Sequence, residues 1–315
     1  LFSPDGTLAV SGGGDERIKL WDVRTKKELR TLSGHQGPVY GKRFSPDGAR
    51  LYSTSFDRTV RIWNVANGTL ERTLGPFQAY FGTNALAVAK DGTIAAATAV
   101  AGGKLRESLV RLWSADGATK VGELTVPELG NIVLADDHRW LLASRIENRK
   151  VSFTAWDVAS KRPLFELRLE GDHQGNAPDL QRLPNGTYLA TGLRSLYVID
   201  PVAGTARVLE RSTEVVDDQL GYAAVVHGDR FLLTLGKRSR WWDAHKLVPL
   251  DTAVPATTDR LHDVSKNGKL GITTRGPTLV LVDMVTGTDV ATLAPLVELP
   301  HPVANLMRLA AIATN

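Results

Sequence analysis

The sequence of 315 residues predicts an all-β fold built from seven copies of one four-stranded antiparallel unit. The main observation is a dipeptide slot, most often Trp followed by a polar residue, that recurs 42, 50, 43, 43, 43 and 40 residues apart. The slots are Trp21-Asp22, Trp63-Asn64, Trp113-Ser114, Trp156-Asp157, Ile199-Asp200, Trp242-Asp243 and Val282-Asp283. A period of about 40 to 45 residues is typical of β-propellers. The sequence therefore predicts a seven-bladed β-propeller with four-stranded antiparallel blades.

Turn-forming pairs keep the same phase as the slots. A pair precedes each slot, where the innermost strand would turn into the second strand. These pairs are Asp5-Gly6, Asp47-Gly48, Asp91-Gly92, Asp136-Asp137, Asn185-Gly186, Gly228-Asp229 and Asn267-Gly268. Four slots are also followed by a turn pair, namely Asn67-Gly68, Asp116-Gly117, Ala203-Gly204 and Thr286-Gly287. Three marker series in one phase support the repeat assignment.

The composition excludes several classes of protein. Hydrophobic residues make up 43% of the chain and charged residues 23%, which is an ordinary globular composition. No run of 18 apolar residues occurs, so we expect no membrane span. The absence of cysteine excludes disulfides and thiolate metal sites. The seven histidines lack metal-ligand spacing, and we therefore expect no metal and no cofactor.

The stretch from Leu32 to Asn64 carries the most specific motifs. Gly34-His35 opens it, Ser45-Pro46-Asp47-Gly48 forms its first turn, Asp57 marks a second tight turn, and Trp63-Asn64 closes it. This stretch strongly resembles one WD40 repeat, the four-stranded blade of a β-propeller. Asn replaces Asp in the last dipeptide, a departure that the family tolerates. The first two repeats are close to the family pattern, whereas the later ones are degenerate.

The resemblance implies a structural hydrogen-bond tetrad of His35, Ser53, Asp57 and Trp63. In it Asp accepts a hydrogen bond from His, His accepts from the Ser hydroxyl, and Ser accepts from the Trp N–H. Ser, His and Asp also form hydrolytic triads, but no G-x-S-x-G nucleophile elbow accompanies them here. We therefore expect a structural role for these four residues and no catalytic residue.

Each predicted turn between second and third strands carries a cation. The resemblance places these turns on the face around the central channel, which commonly binds partners, and there Phe56 would be an apolar anchor. The candidate partner-binding residues are Arg17, Phe56, Arg58, Lys104, Arg106, Arg149, Arg194, Arg238 and Arg275. The alternative is that polar turns attract Lys and Arg without any binding role.

The resemblance implies a non-catalytic scaffold for protein–protein interaction. We expect a monomeric propeller whose partner is a protein with an acidic surface, not a membrane or a nucleic acid. Two alternatives stay open: an enzyme acting on a small molecule at the channel mouth, and a basic loop ring that binds a polyanion or nucleic acid. The innermost strands Val39 to Phe44, Ala85 to Ala89 and Ala223 to Val226 read as mostly apolar or small, which counts against the enzyme.

The start of the sequence suggests a piece of a longer chain, and its end suggests how the first blade is completed. Leu1 precedes a Phe2-Ser3-Pro4-Asp5-Gly6 turn, so we expect a fragment that holds a single propeller over residues 1–315. His301-Pro302-Val303 resembles the segment from His35 to Val39, so Val303 to Leu309 would supply the innermost strand of the first blade; the alternative is the start of an eighth repeat. The sequence of the first two repeats resembles that of bacterial WD-repeat proteins, which are often multidomain. We expect a cytoplasmic location.

Overall fold

The computed structural model describes residues 1–77, 81–99, 107–127, 130–137, 139–147, 150–169, 179–191, 195–211, 222–235, 238–252, 261–265, 268–275 and 278–295. These residues form strands grouped in antiparallel sheets of three or four strands, in agreement with the predicted all-β class. The chain divides into two compact units. One comprises Leu1–Ala9, Trp21–Glu28 and His173–Asn315, and the other Val10–Leu20 and Leu29–Asp172.

The first sheet has three strands, and its residues are divided between the two units. The strands are β1 (Leu8–Gly12), β2 (Ile18–Asp22) and β3 (Lys27–Leu32). An isolated bridge pairs Phe2 with Ala9 of β1. The segment from Val303 to Leu309, which we expect to add an innermost strand here, lies outside the described residues.

Three four-stranded sheets lie in the unit that ends at Asp172. Their strands are β4 (Val39–Phe44), β5 (Arg50–Ser55), β6 (Val60–Asn64) and β7 (Leu70–Leu74); β8 (Phe81–Val88), β9 (Ile94–Ala99), β10 (Glu107–Trp113) and β11 (Lys120–Pro127); β12 (Ile132–Leu134), β13 (Trp140–Glu147), β14 (Lys150–Asp157) and β15 (Pro163–Leu169). The first strands of consecutive sheets are neighbours, since β4 contacts β8 and β8 contacts β12.

The other unit holds three further sheets. Their strands are β16 (Asp179–Arg182), β17 (Tyr188–Thr191), β18 (Ser195–Asp200) and β19 (Thr205–Arg211); β20 (Tyr222–His227), β21 (Arg230–Leu235) and β22 (Arg238–Asp243); β23 (Leu261–Val264), β24 (Leu270–Arg275), β25 (Thr278–Asp283) and β26 (Asp289–Pro295). First strands are again neighbours, because β20 contacts both β16 and β23.

The seven predicted slots stand at the ends of β2, β6, β10, β14, β18, β22 and β25, where the polar residue of the slot hydrogen-bonds to the following turn. Asp22 Oδ1 accepts the Thr25 N–H at 2.6 Å, and Asp157 Oδ1 accepts the Ser160 N–H at the same distance. Asn64 Oδ1 does the same for the Asn67 N–H at 3.1 Å. Because an amide oxygen accepts this bond as a carboxylate does, Asn can replace Asp in the second slot without loss of the turn.

Arginines on outermost strands connect neighbouring sheets. Arg30 on β3 donates to the carbonyl oxygens of Ala66 and Asn67, at 2.8 and 3.1 Å, in the turn between β6 and β7. Arg72 on β7 repeats the contact one sheet further on, since its Nε donates to the Asp116 carbonyl at 2.9 Å. These contacts use guanidinium donors to satisfy turn carbonyls, so each sheet helps to fix a turn of the next.

Candidate partner-binding site

The second sheet brings together the four side chains of the predicted tetrad. Trp63 on β6 donates from Nε1 to Ser53 Oγ on β5 at 2.9 Å. Ser53 Oγ lies 2.8 Å from His35 Nε2, and His35 Nδ1 lies 2.7 Å from Asp57 Oδ2. With the His35 proton on Nδ1, every group in this row has a donor or acceptor of the correct kind. The row ties the segment before β4 to the turn between β5 and β6.

Burial controls the charges of this network. Burial lowers the pKa of His35, although its hydrogen bond to Asp57 acts in the opposite direction. Burial alone would raise the pKa of Asp57, but hydrogen bonds from Thr59, His35 and the Gln36 N–H outweigh it and lower that pKa. The network therefore holds a neutral imidazole beside an ionised carboxylate.

The same burial prevents hydrolytic chemistry at these residues. Ser53 is 0% exposed and His35 is 4% exposed. The Ser53 hydroxyl is also occupied, because it lies against His35 and accepts the Trp63 N–H. A serine nucleophile must reach a substrate carbonyl, which Ser53 cannot do from this position.

All four backbone N–H groups in the turn from Phe56 to Thr59 donate hydrogen bonds. The Phe56 N–H donates to the Pro38 carbonyl at 3.0 Å, and the Arg58 N–H donates to the Ser55 carbonyl at 3.1 Å. The Asp57 N–H donates to Ser55 Oγ at 3.1 Å, and the Thr59 N–H donates to Asp57 Oδ1 at 2.9 Å. Since all four amides have partners, the turn is held in one conformation.

This turn presents an aromatic and a cationic side chain. Phe56 is half-buried, and its ring packs against that of Tyr40 on β4 with the centroids 5.0 Å apart. Gly37 permits this arrangement, because a Cβ there would lie 3.0 Å from the Asp57 nitrogen. Arg58 is exposed and adopts a positive φ of 65°. The turn thus combines an anchored ring with a solvent-facing guanidinium.

The equivalent turn of the first sheet differs in charge order. Asp15 caps it as Asp57 caps the second, by accepting the Arg17 N–H at 3.3 Å. Glu16 has the positive φ, 63°, that Arg58 has in the second sheet. Arg17 is exposed, but it occupies the position of Thr59. The two turns therefore share a backbone conformation, whereas an acid replaces the cation at the tip.

The other predicted partner-binding residues are only partly visible. Lys104, Arg106, Arg149 and Arg194 lie outside the described residues. Arg238 is the first residue of β22, and its side chain also lies outside the description. Arg275 ends β24, and its guanidinium pairs with Asp289 at the start of β26. Arg17, Phe56, Arg58 and Arg275 are therefore the predicted residues whose described side chains are at least partly exposed, and of these Arg275 is already paired with an acid.

The innermost strand of the second sheet holds two cations that the sequence interpretation overlooked. That strand reads as mostly apolar or small, yet Lys42 and Arg43 lie in the middle of β4. Lys42 Nζ donates to the carbonyl oxygens of Gly12 at 3.2 Å and of Tyr40 at 3.1 Å. The sequence shows these cations directly, as a Lys-Arg pair between Gly41 and Phe44. Both side chains are half-buried, and Arg43 donates to the Lys42 carbonyl at 3.0 Å.

The part of the chain that the structure describes contains neither a cluster of metal ligands nor a helix that could span a membrane. No group of three or more His, Cys, Asp or Glu side chains in the described ranges is arranged to hold a metal ion. The described residues also contain no helix that is both long and apolar enough to cross a membrane.

The fold and the polar network define an all-β repeat structure of the propeller-like class. Residues 1–22 and 26–64 match the WD40 family model, described as "WD domain, G-beta repeat". This match is consistent with a WD-repeat family, and it includes the segment from Leu32 to Asn64 whose resemblance predicts it.

Two curated proteins match short stretches. The chain is 46% identical over 37 residues to "U3 snoRNP-associated protein-like YAOH" of Oryza sativa subsp. japonica, and 53% identical over 34 residues to "Probable serine/threonine-protein kinase PkwA" of Thermomonospora curvata. These matches cover 12% and 11% of this chain, and 7% and 5% of those proteins. The similarity is therefore that of one shared repeat.

A solved structure matches almost the whole chain. Hydrazine synthase of Kuenenia stuttgartiensis superposes with a TM-score of 0.68 over 90% of this chain and 95% of that chain. The sequence identity is 13%, so this likeness shows the fold alone.

Proposed function

We propose that this chain is a non-catalytic scaffold for protein–protein interaction: a single seven-bladed WD-repeat propeller that binds a protein partner through the turns around its central channel. WD40 repeats in the first 64 residues support an interaction role, because such repeats generally mediate protein contacts. The observation that carries the proposal is the turn from Phe56 to Thr59. Its four N–H groups are hydrogen-bonded, Arg58 on it is exposed, and Phe56 on it is half-buried.

Such a turn suits recognition for two physical reasons. A segment that is already ordered costs little conformational entropy when a partner binds. Aromatic and Arg side chains are enriched at the centres of interfaces, where they contribute most of the binding energy. The nearby cations Arg17 and Arg58 favour a partner with an acidic surface, and long-range attraction would speed the encounter.

Site-specific photo-crosslinking tests the proposal. A photoreactive phenylalanine at position 56 should capture a defined protein from an extract of the host cell. The matched control is the same group at Leu164, which is 55% exposed on the outermost strand β15. Capture at both positions equally, or only at position 164, would move the binding surface away from the turn.

Charge reversal at Arg58 then tests whether the captured partner has an acidic surface. Arg58→Glu should slow association several-fold, and the difference should shrink as salt screens the charges. Arg24→Glu is the control, because Arg24 is equally exposed but follows β2 in the turn toward β3. An association rate that ignores salt and both reversals would contradict an acidic partner surface.

A further inference from the structure

Lys42 has an unusual hydrogen-bond environment for a partly buried lysine. Its two acceptors, the carbonyl oxygens of Gly12 and Tyr40, are neutral. No carboxylate among the described residues lies within ion-pair distance of its ammonium group. An ammonium carries three N–H donors, so one donor is left after the two carbonyls are satisfied. A charge in this position favours an anionic partner, because a partly buried cation is stabilised by a counter-charge.

Gly12 at the end of β1 leaves room for the Lys42 side chain. A Cβ on Gly12 would lie 3.1 Å from Lys42 Cδ and 3.4 Å from Nζ, so glycine lets the lysine lie against the end of β1. The Val39 N–H donates to the Gly13 carbonyl at 3.0 Å, which fixes the same turn against β4. The position of Nζ is therefore set by backbone atoms on both sides.

Burial makes the Lys42 ammonium easier to deprotonate than an exposed one. Burial, with a smaller contribution from Arg43, lowers the pKa of Lys42 to about 8. The facing elements carry Asp15, Glu16 and Arg17 in the first turn, and Asp57 and Arg58 in the second. Asp57 is already engaged by His35, Gln36 and Thr59. Arg43 is also without a described carboxylate partner, and one of its Nη atoms donates to the Lys42 carbonyl at 3.0 Å.

Lys42 is connected to the aromatic part of the proposed surface. The carbonyl that accepts from Nζ belongs to Tyr40, whose ring packs on Phe56. We infer that Lys42 binds a carboxylate of an acidic, aromatic-containing segment of the partner protein. This inference rests on the proposed function and names the residue that recognises the anion.

Proton uptake gives the inference a specific signature. A bound carboxylate favours the charged lysine, so its pKa rises in the complex. Affinity should then be constant below pH about 8 and fall by up to about tenfold per pH unit above it, because the free site has lost its proton there. Recognition by arginine alone would show no such change, since arginine stays charged throughout this range.

The probe is a short fluorescein-labelled peptide of glutamates around one phenylalanine, and its affinity is measured by fluorescence anisotropy between about pH 7 and about pH 10. We expect the decline above pH 8 in the parent protein. Lys42→Arg should bind with a flat pH profile, and Lys42→Met should bind at least about tenfold more weakly at neutral pH. Lys90→Met is the matched control, since Lys90 is exposed in the turn between β8 and β9. It should behave like the parent.

A second measurement does not require a variant. Competitive labelling with acetic anhydride, read by mass spectrometry of the Lys42 peptide, should show half-maximal reactivity near pH 8 and protection by the probe. If the parent binds the probe with a flat pH profile and without protecting Lys42, the inference is overturned while the proposed function stands. If Arg58→Glu and replacement of Phe56 also leave probe binding unchanged, the proposed surface itself is contradicted.

Discussion

The second and fourth sheets have the same strand register but different polar interiors. In the second sheet Trp63 is paired with Leu51, and the residue two positions further along β5 is Ser53. In the fourth sheet Trp156 is paired with Leu141, and the residue two positions further along β13 is Ala143. Trp63 donates to Ser53, whereas the buried Nε1 of Trp156 has no hydrogen-bond partner among the residues that the structure describes.

The comparison shows that the strand framework does not depend on the polar network. Both sheets form four antiparallel strands with a Trp near the end of the third. The network of the second sheet adds a connection from Trp63 to the Asp57 turn, and in the fourth sheet Ala143 lacks the hydroxyl that begins this connection. The sixth sheet shows the same difference, because Leu233 stands where the second sheet has Ser53. The Nε1 of Trp242 likewise has no hydrogen-bond partner among the described residues.

Replacing each of the two tryptophans by alanine should give the largest difference in stability between the second and fourth sheets. Trp63 is 2% exposed and hydrogen-bonded, so Trp63→Ala should cost about 3–5 kcal/mol of unfolding free energy. Trp156 is less buried and donates no hydrogen bond, so Trp156→Ala should cost less. Denaturant unfolding of both variants measures the difference. Equal costs would show that the network adds nothing to packing.

Removal of the carboxylate should have the next largest effect. Asp57→Ala leaves the His35 N–H and the Gln36 and Thr59 amides without their acceptor, at a cost of about 1–3 kcal/mol. Asp137→Ala is a suitable control, because this exposed aspartate lies between β12 and β13. If Asp57→Ala is as stable as the control, the network does not stabilise the second sheet.

Exchanging one hydroxyl between the sheets is a sharper test. Ser53→Ala should destabilise by about 1–2 kcal/mol, because it leaves the Trp63 N–H unpaired. Ala143→Ser should do the opposite and stabilise by about 0.5–1.5 kcal/mol, since it offers the Trp156 N–H an acceptor at the equivalent position. Thermal unfolding of both variants would reveal the opposite signs. A destabilised Ala143→Ser protein would mean that the fourth sheet cannot accept the hydroxyl.

Titration of His35 should give the smallest effect. Burial lowers the pKa of His35 below its unfolded value of about 6.5, so the folded protein binds fewer protons than the unfolded chain. The stability contribution is therefore complete above about pH 6.5 and declines as the pH falls below it. Unfolding measured from neutral to mildly acidic pH should show this decline in the parent. His35→Gln should lack it, and an equal decline in that variant would assign it to other groups.

Local chemistry explains which parts of the fold could be predicted from the sequence. The slots and turn pairs depend on a carboxylate oxygen or a glycine within a few residues, so Asp157 or Gly48 can be recognised without knowing the fold. The division of the strands into successive sheets follows from the repeat period, because each repeat predicts one sheet. The tetrad residues could be named because the second repeat keeps all four.

Features that depend on contacts across repeats could not be predicted. The environment of Lys42 is set by Gly12, which is thirty residues away in the chain. Backbone dihedral angles show that Glu16, and not Arg17, occupies the position of Arg58, whereas counting cations in each turn treats Arg17 and Arg58 as equivalent. The unpaired Trp156 N–H follows from strand register, which the Trp-Asp slot alone does not reveal.

The central claim is that the buried network of the second sheet holds its Phe56–Thr59 turn ready for binding. Hydrogen–deuterium exchange of these four amides, in the parent and in Asp57→Ala, tests it most directly. All four amides are hydrogen-bonded, so we predict slow exchange in the parent and much faster exchange in Asp57→Ala, with the amides of β9 unchanged. Fast exchange in the parent, or equal protection in both proteins, would contradict the claim.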